Sequence, residues 1–246
     1  MNVKEYIIEK VKKGTMHMTL LDPAKQSPER AAEMAAIVAG MGTDAIMVGG
    51  STDVTSENLD ATILAIKKKV SLPVIYFPSG AHALSKHADA MYFMSMLNSL
   101  NVNHVIGEQV KGAPIIKKLG VPTLSMGYII IEPGMKVGEV GMAKLIPRND
   151  LKTAAAFALA AEYLGMELVY LEAGSGAPEP VPSEMITAVK KSISVPLLIG
   201  GGIRDAKTAE RVRLAGADIV VTGTVVENGE LGEDLKKLIH AAKGIA

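Results

Sequence analysis

Asp22, Ser51, Glu172 and three glycine clusters have the residue types and spacing to do chemistry. The clusters are Gly174-Ser175-Gly176, Gly200-Gly201-Gly202 and Gly223-Thr224, each just beyond a short apolar run. Glycines at strand ends expose backbone N–H groups with no side chain in the way. Three such ends, with hydroxyls from Ser175 and Thr224, suit a phosphate monoester. Glycines in tight turns would account for any one cluster alone. Glu172 stands beside the first cluster, where it can orient a substrate hydroxyl or take its proton. Tyr170 either joins it or simply packs inside the fold. Asp22, after an earlier apolar run, is a hard oxygen ligand, and Ser51 is its expected neighbour. A carboxylate and a hydroxyl, completed by water and ligand phosphate, suit Mg2+. Asp22-Pro23 equally suits a helix N-cap. There is no HExxH, no Cys/His cluster and no DDxxD, so no zinc site or all-protein metal cage is indicated. His82, His87 and His104 lack ligand spacing, and His17 lies within an apolar run, a poor place for a base.

Residues so far apart in sequence need a fold that gathers strand ends on one face. Eight runs read as strands: 16–21, 44–48, 73–77, 90–94, 123–131, 167–171, 195–199 and 218–221. Helical patterns follow them at 28–41, 56–70, 82–88, 105–119, 150–165, 182–191, 205–214 and 231–242. A short amphipathic helix at 2–13 precedes the first strand, and Gly14 ends it. Ser56 is the expected cap of the 56–70 helix, and Asn149 or Asp150 that of the 150–165 helix. This rhythm predicts one α/β domain over residues 1–246, a (β/α)8 TIM barrel with an added N-terminal helix. A doubly wound sheet is disfavoured by the missing G-x-G-x-x-G after the first strand. The barrel's carboxyl-end face would also receive Gly50, Ser79, Gly80, Asn98 and Glu132. Residues 132–150 form a long glycine-bearing loop, a length more often functional than accidental.

Composition narrows the function classes. The 246 residues are 48% hydrophobic with net charge +0, which gives no case for nucleic acid or a generally basic membrane-facing surface. There is no cysteine, hence no disulfide and no thiolate nucleophile. The charged N-terminal stretch does not read as a signal peptide, and no apolar run spans a bilayer, so a cytoplasmic protein is expected. Fourteen Met against three Phe and no Trp point to Met-filled packing, with some lining an apolar groove.

The motifs together resemble one family. They are LLDP at 20–23, VGGS at 48–51, YFPSG at 76–80, FMSMLNS at 93–99, IGEQ at 106–109, YLEAGSGA at 170–177, GGGIR at 200–204 and VTGT at 221–224. GGGIR is common among phosphate-binding barrels, whereas YLEAGSGA with FMSMLNS and VGGS is specific. The set resembles archaeal geranylgeranylglyceryl phosphate synthases and the related bacterial PcrB-type prenylglyceryl phosphate synthases. That resemblance implies a modified TIM barrel that moves a geranylgeranyl group from its diphosphate to the C3 hydroxyl of sn-glycerol 1-phosphate. It implies Mg2+ at Asp22 and Ser51. It implies glycerol phosphate held by Tyr170, Leu171, Glu172, Ala173, Gly174, Ser175, Gly176, Gly201, Gly202, Gly223 and Thr224. It further implies a homo-oligomer of the group whose members are often hexameric, and peripheral membrane contact through the lipid product. The prenyl groove is expected along 92–100, 126–131 and the 132–148 loop. The rival readings are the same reaction with another prenyl length, a phosphosugar isomerase using Asp22 and Glu172, and a non-catalytic phosphometabolite binder. An aldolase would want a lysine inside a strand, and no strand run has one.

Overall fold

Short Val-, Ile-, Leu- and Met-rich runs that are buried on both faces must be covered on both faces, and parallel strands inside a helical layer meet that need. The computed structural model describes residues 2–228 and 231–245. Its strands are β1 (Met16–Leu21), β2 (Ala45–Val48), β3 (Val74–Tyr76), β4 (Ala90–Met96), β5 (Thr123–Ile130), β6 (Leu168–Glu172), β7 (Leu197–Gly200) and β8 (Ile219–Thr222). They pair in chain order as one closed barrel, β1 joining β8 through Met16–Ile219 and Met18–Val221. All neighbours are parallel. The expected (β/α)8 architecture is therefore present, with every strand end within two residues of its expected position.

Side-chain alternation divides the core into layers. Met16, Met18, Met47, Ile75, Tyr92, Met126, Tyr128, Tyr170 and Val221 fill the barrel. Ile129, Val169, Leu171, Ile199 and Val220 face the helices. Unbranched Met fits the irregular space between the barrel's bulky tyrosines. Helix α1 (Val3–Lys13), capped by the Asn2 side chain on the N–H groups of Lys4 and Glu5, places Val3 and Ile7 in the barrel cluster. The Tyr6 hydroxyl donates to the Asp44 carbonyl at 2.8 Å, which seats this helix against the start of β2.

Helices α2 (Pro28–Gly40) and α3 (Ser56–Lys69) follow β1 and β2. Thr55, not Ser56, caps α3 through a reciprocal pair with Asn58. The helix expected at 82–88 does not form. Its backbone groups find partners elsewhere: the Ala81 N–H donates to the Glu108 carboxylate, the Ala83 carbonyl accepts from Tyr76, and the Ser85 hydroxyl accepts from the His87 N–H. Such local and tertiary bonds compete with a helix. After β4, a π-helical turn (Asn103–Gly107) leads into α4 (Glu108–Leu119) instead of one uniform helix. Next come α5 (Met135–Val140), a short helix within the 132–150 loop, and α6 (Leu151–Tyr163), capped by Asp150. The remaining helices are α7 (Ser183–Ser192), α8 (Ala206–Leu214), α9 (Thr224–Asn228) and α10 (Glu233–Lys243). The five-residue α9 had no counterpart in the sequence pattern.

Candidate active site

Glu172 is the last residue of β6 and its side chain is almost wholly buried, with 7% of the residue exposed. Oε1 accepts the Gly174 N–H at 2.7 Å, and the Tyr170 hydroxyl lies near the same carboxylate. Burial raises the Glu172 pKa, against the opposing pull of the Gly174 N–H and the nearby Tyr170 hydroxyl. Tyr170 is held well above its ordinary pKa by burial and then by the Glu172 charge, so it stays a donor. Tyr170 packs inside the barrel and also borders the cleft. Its ring packs against Tyr128 (centroids 5.2 Å apart) and Phe77 (5.9 Å), and its hydroxyl reaches the site.

Glycine is required opposite this pair. A Cβ at Gly200 would collide with the Tyr170 hydroxyl and approach Glu172 Oε2 to 3.0 Å. At Gly201, where φ is +81°, it would collide with Glu172 Oε1. The same strand ends form a small cleft lined by Tyr170, Glu172, Ser175, Gly176, Gly201, Gly202, Arg204, Gly223 and Thr224. Ser175 Oγ and Thr224 Oγ1 lie 2.7 Å apart and join the first glycine cluster to the third. Arg204 also belongs to this cleft, and the sequence pattern alone assigns it no role. Its Nη2 donates to the carbonyls of Gly176 (2.6 Å) and Ala177 (2.8 Å), bracing the turn and bringing positive charge to the cleft. Leu171 and Ala173, two of the residues assigned to the cleft, instead turn their side chains into the helix-facing core. The Ala173 N–H and carbonyl are also taken, by the Gly200 carbonyl and the Gly134 N–H. Behind the cleft, Thr222 Oγ1 is 2.9 Å from His17 Nε2, and His17 Nδ1 is 2.9 Å from Thr43 Oγ1. Complete burial pulls the His17 pKa down to about 3, so it is a neutral strut and not a base.

Asp22 sits in the turn after β1, where its Oδ1 accepts the Ala24 N–H at 3.0 Å. It does not cap α2, whose cap is Ser27. Its carboxylate occupies the space that a Cβ on Gly50 would need, which brings it against the residue preceding Ser51. Burial raises the Asp22 pKa, and the Glu227 and Asp53 carboxylates push it further, against Lys25. Three carboxylates facing one ammonium leave an excess of negative charge, which fits a divalent cation. Among the described residues no three His, Cys, Asp or Glu side chains are poised to cage a metal. A cation here would need oxygens from ligand and water to complete its shell.

A second, mostly apolar groove opens from the same centre. Leu20, Gly50, Ser51, Glu172 and Ser175 border it at one end. Phe77, Leu84, Met91, Phe93, Met94, Met96, Ile116, Tyr128, Val137 and Val140 form its walls. The irregular 77–84 segment and the α4 residues Gln109, Gly112 and Ile116 were missed by the sequence reading. Both line the space opened where no helix covers the barrel after β3. Of 126–131, only Tyr128 reaches the groove, while Met126 and Ile130 fill the barrel. Asn98 does not face a ligand. Its Nδ2 donates to the carbonyls of Ile130 (2.8 Å) and Lys144 (3.0 Å), and its Oδ1 accepts the Ile130 N–H at 3.0 Å. The Glu132 carboxylate likewise accepts the Arg148 N–H at 3.3 Å, so both residues hold the loop that carries α5. His104 lines the groove, and His82 packs beside Gly80.

A family model described as the PcrB family matches residues 6–243. The geranylgeranylglyceryl phosphate synthase of Thermococcus gammatolerans is 53% identical over 244 residues, covering 99% of this chain and 97% of that protein. Among solved structures, (S)-3-O-geranylgeranylglyceryl phosphate synthase from Thermoplasma acidophilum, in complex with sn-glycerol-1-phosphate, matches at 44% identity with a TM-score of 0.96 over 100% of both chains. The Thermoplasma volcanium enzyme matches at 44% identity with a TM-score of 0.93, covering 100% of this chain and 99% of its own.

Proposed function

The chain belongs to the PcrB family, and we propose that its polar cleft and its apolar groove hold the two substrates of one prenyl transfer. The enzyme transfers the geranylgeranyl group of geranylgeranyl diphosphate to the C3 hydroxyl of sn-glycerol 1-phosphate, releasing diphosphate. The observation that carries this reading is the meeting of a polar cleft and an apolar groove at Glu172 and Ser175. A phosphate fits the glycine-lined end, and a prenyl tail fits the other. Each buried CH2 contributes about 0.8 kcal/mol, so a long tail binds strongly in such a groove.

In the proposed mechanism, Glu172 accepts a hydrogen bond from the C3 hydroxyl and takes its proton as the oxygen attacks the allylic carbon. The new C–O bond forms as the bond to diphosphate breaks. The Gly174 N–H orients the carboxylate, with the Tyr170 hydroxyl nearby. A pKa raised by burial makes Glu172 a better proton acceptor than an exposed carboxylate. The apolar walls keep water from the allylic carbon. We assign Asp22 and Ser51 to Mg2+, supported by the surplus of carboxylate charge around Asp22. When bound, Mg2+ supplies neutralisation of charge on the departing diphosphate.

No helix among the described residues is long and apolar enough to cross a membrane. We place the enzyme in the cytoplasm, touching the membrane surface when it releases its lipid product. We also infer a homo-oligomer, of the often hexameric kind that the family resemblance implies. The apolar face of α6 does not serve as an interface by itself, because Ala154, Ala158 and Ala161 are buried on the barrel. Exposed Tyr163 and Leu164 at its end, and Val102, Ile106 and Val110 along the π-helical turn and the start of α4, support the inference.

The test is a product assay with sn-glycerol 1-phosphate and prenyl diphosphates of graded length, each with Mg2+ and with chelator. Ether product that requires Mg2+ and is greatest with the geranylgeranyl donor is expected. Product greatest with another length would keep the chemistry and change the donor. Phosphate binding without any prenyl product would return the reading to an isomerase or a binder.

A further inference from the structure

We propose that Lys25 takes the diphosphate of the prenyl donor and that Glu227 is the residue that presents it. The inference rests on the transfer reaction above and adds a group to it. Lys25 lies in the turn that carries Asp22. Its Nζ is 2.8 Å from Glu227 Oε2 and 3.8 Å from Asp22 Oδ2. The Glu227 side chain is only 5% exposed, whereas that of Lys25 is 49% exposed. A buried carboxylate thus anchors a half-exposed ammonium, whose remaining donors are free to turn toward a ligand. The other oxygen of Glu227 accepts the Asp22 N–H at 2.8 Å. One carboxylate therefore sets both the proposed cation ligand and the ammonium beside it.

Glu227 lies on α9, one turn past Thr224, which lines the glycerol phosphate cleft. It ties that cleft to the β1 turn. Diphosphate brings several negative charges to a place that already holds the carboxylates of Asp22, Asp53 and Glu227. One divalent cation leaves part of that charge uncompensated. Arg204, which lines the glycerol phosphate cleft, already donates to two carbonyls. Lys25 is the cation placed next to Asp22. As the allylic C–O bond breaks and charge grows on the departing oxygen, an ammonium there gains interaction strength.

The rival account is a loop-to-loop ion pair with no ligand, and it makes different predictions. Calorimetric titration with inorganic diphosphate, with and without Mg2+, should be run on wild type, Lys25→Ala, Lys25→Arg and Glu227→Gln. Titration with sn-glycerol 1-phosphate and thermal unfolding run in parallel. Lys25→Ala is expected to weaken diphosphate binding about ten- to a hundredfold while changing glycerol phosphate binding by less than about threefold, with Lys25→Arg restoring most of the loss. Glu227→Gln keeps an acceptor for the Asp22 N–H but loses the charge that anchors Lys25, so an intermediate loss is expected. Wild-type diphosphate affinity in Lys25→Ala, or equal loss of both ligands, overturns the proposal. Absence of prenyl product from the wild type would overturn the reaction instead, a separate readout.

Discussion

Glu172 owes its properties to its neighbours, since an exposed glutamate would be a weaker base with no fixed direction. The Gly174 N–H aims it, and burial raises its pKa. Glu172→Gln keeps an acceptor for Gly174 and removes the proton acceptor. Turnover is expected to fall by ~10²–10⁴, with glycerol phosphate affinity much less affected; steady-state kinetics beside ligand titration measures the split. Equal loss in both would assign Glu172 to binding alone. His17 makes a different prediction, about stability. Its pKa is about 3 in the fold against 6.5 as the ordinary value, mainly through burial, with Asp44 and Lys243 as the opposing charges nearby. The folded state therefore holds the neutral ring. Its contribution is full above pH 6.5 and is lost as pH falls toward 3, at about 1.4 kcal/mol per pH unit. Urea denaturation at pH 7, 5 and 4 should show this slope in the wild type. His17→Gln should be flatter, even if less stable at pH 7.

The elements explain why the groove exists. A regular barrel would cover β3 and β4 with a helix, yet the chain at 77–89 stays irregular because Glu108 and Tyr76 take its backbone groups. The π-helical turn before α4 follows from Asn103 and Gly107. The Asn103 side chain fills the space that a Cβ at 107 would need. Asn98 ties the end of β5 to Lys144 in the loop bearing α5. Asn98→Ala would strand these buried partners at a cost of about 1–3 kcal/mol each. A lower unfolding midpoint, faster proteolysis within 132–148 and a raised KM for the prenyl donor are expected together. An unchanged donor KM would separate the loop from the groove.

At the scale of the whole molecule, the barrel converts distant strand ends into one centre: Glu172 from β6, Gly200 and Gly201 around β7, Thr224 after β8, and Asp22 and Gly50 after β1 and β2. The N-terminal helix covers the opposite end through Val3 and Ile7. Val102, Ile106 and Val110 recur at four-residue spacing and remain largely exposed. Sedimentation of the wild type is expected to give a mass above that of one chain, lowered in the double variant Val102→Glu, Ile106→Glu. A monomeric wild type would remove the oligomer from the proposal.

The strand count, the barrel order and the glycine-lined cleft are all legible in the sequence. These depend on local signals: short apolar runs, period-breaking glycines, and caps such as Asp150 and Asp205. Tertiary structure alone decided the rest. The pattern at 82–88 reads as a helix until Glu108, Tyr76 and Ser85 compete for its backbone. Leu171 and Ala173 lie within the glycine-rich motif, yet alternation along β6 turns them away from the cleft. Asn98 looks like a ligand-facing amide until its three partners on β5 and the distant loop appear. The pairing of Asp22, Lys25 and Glu227 joins residues from opposite ends of the chain, so spacing carries no trace of it. It exists because closing β8 onto β1 sets α9 beside the first turn.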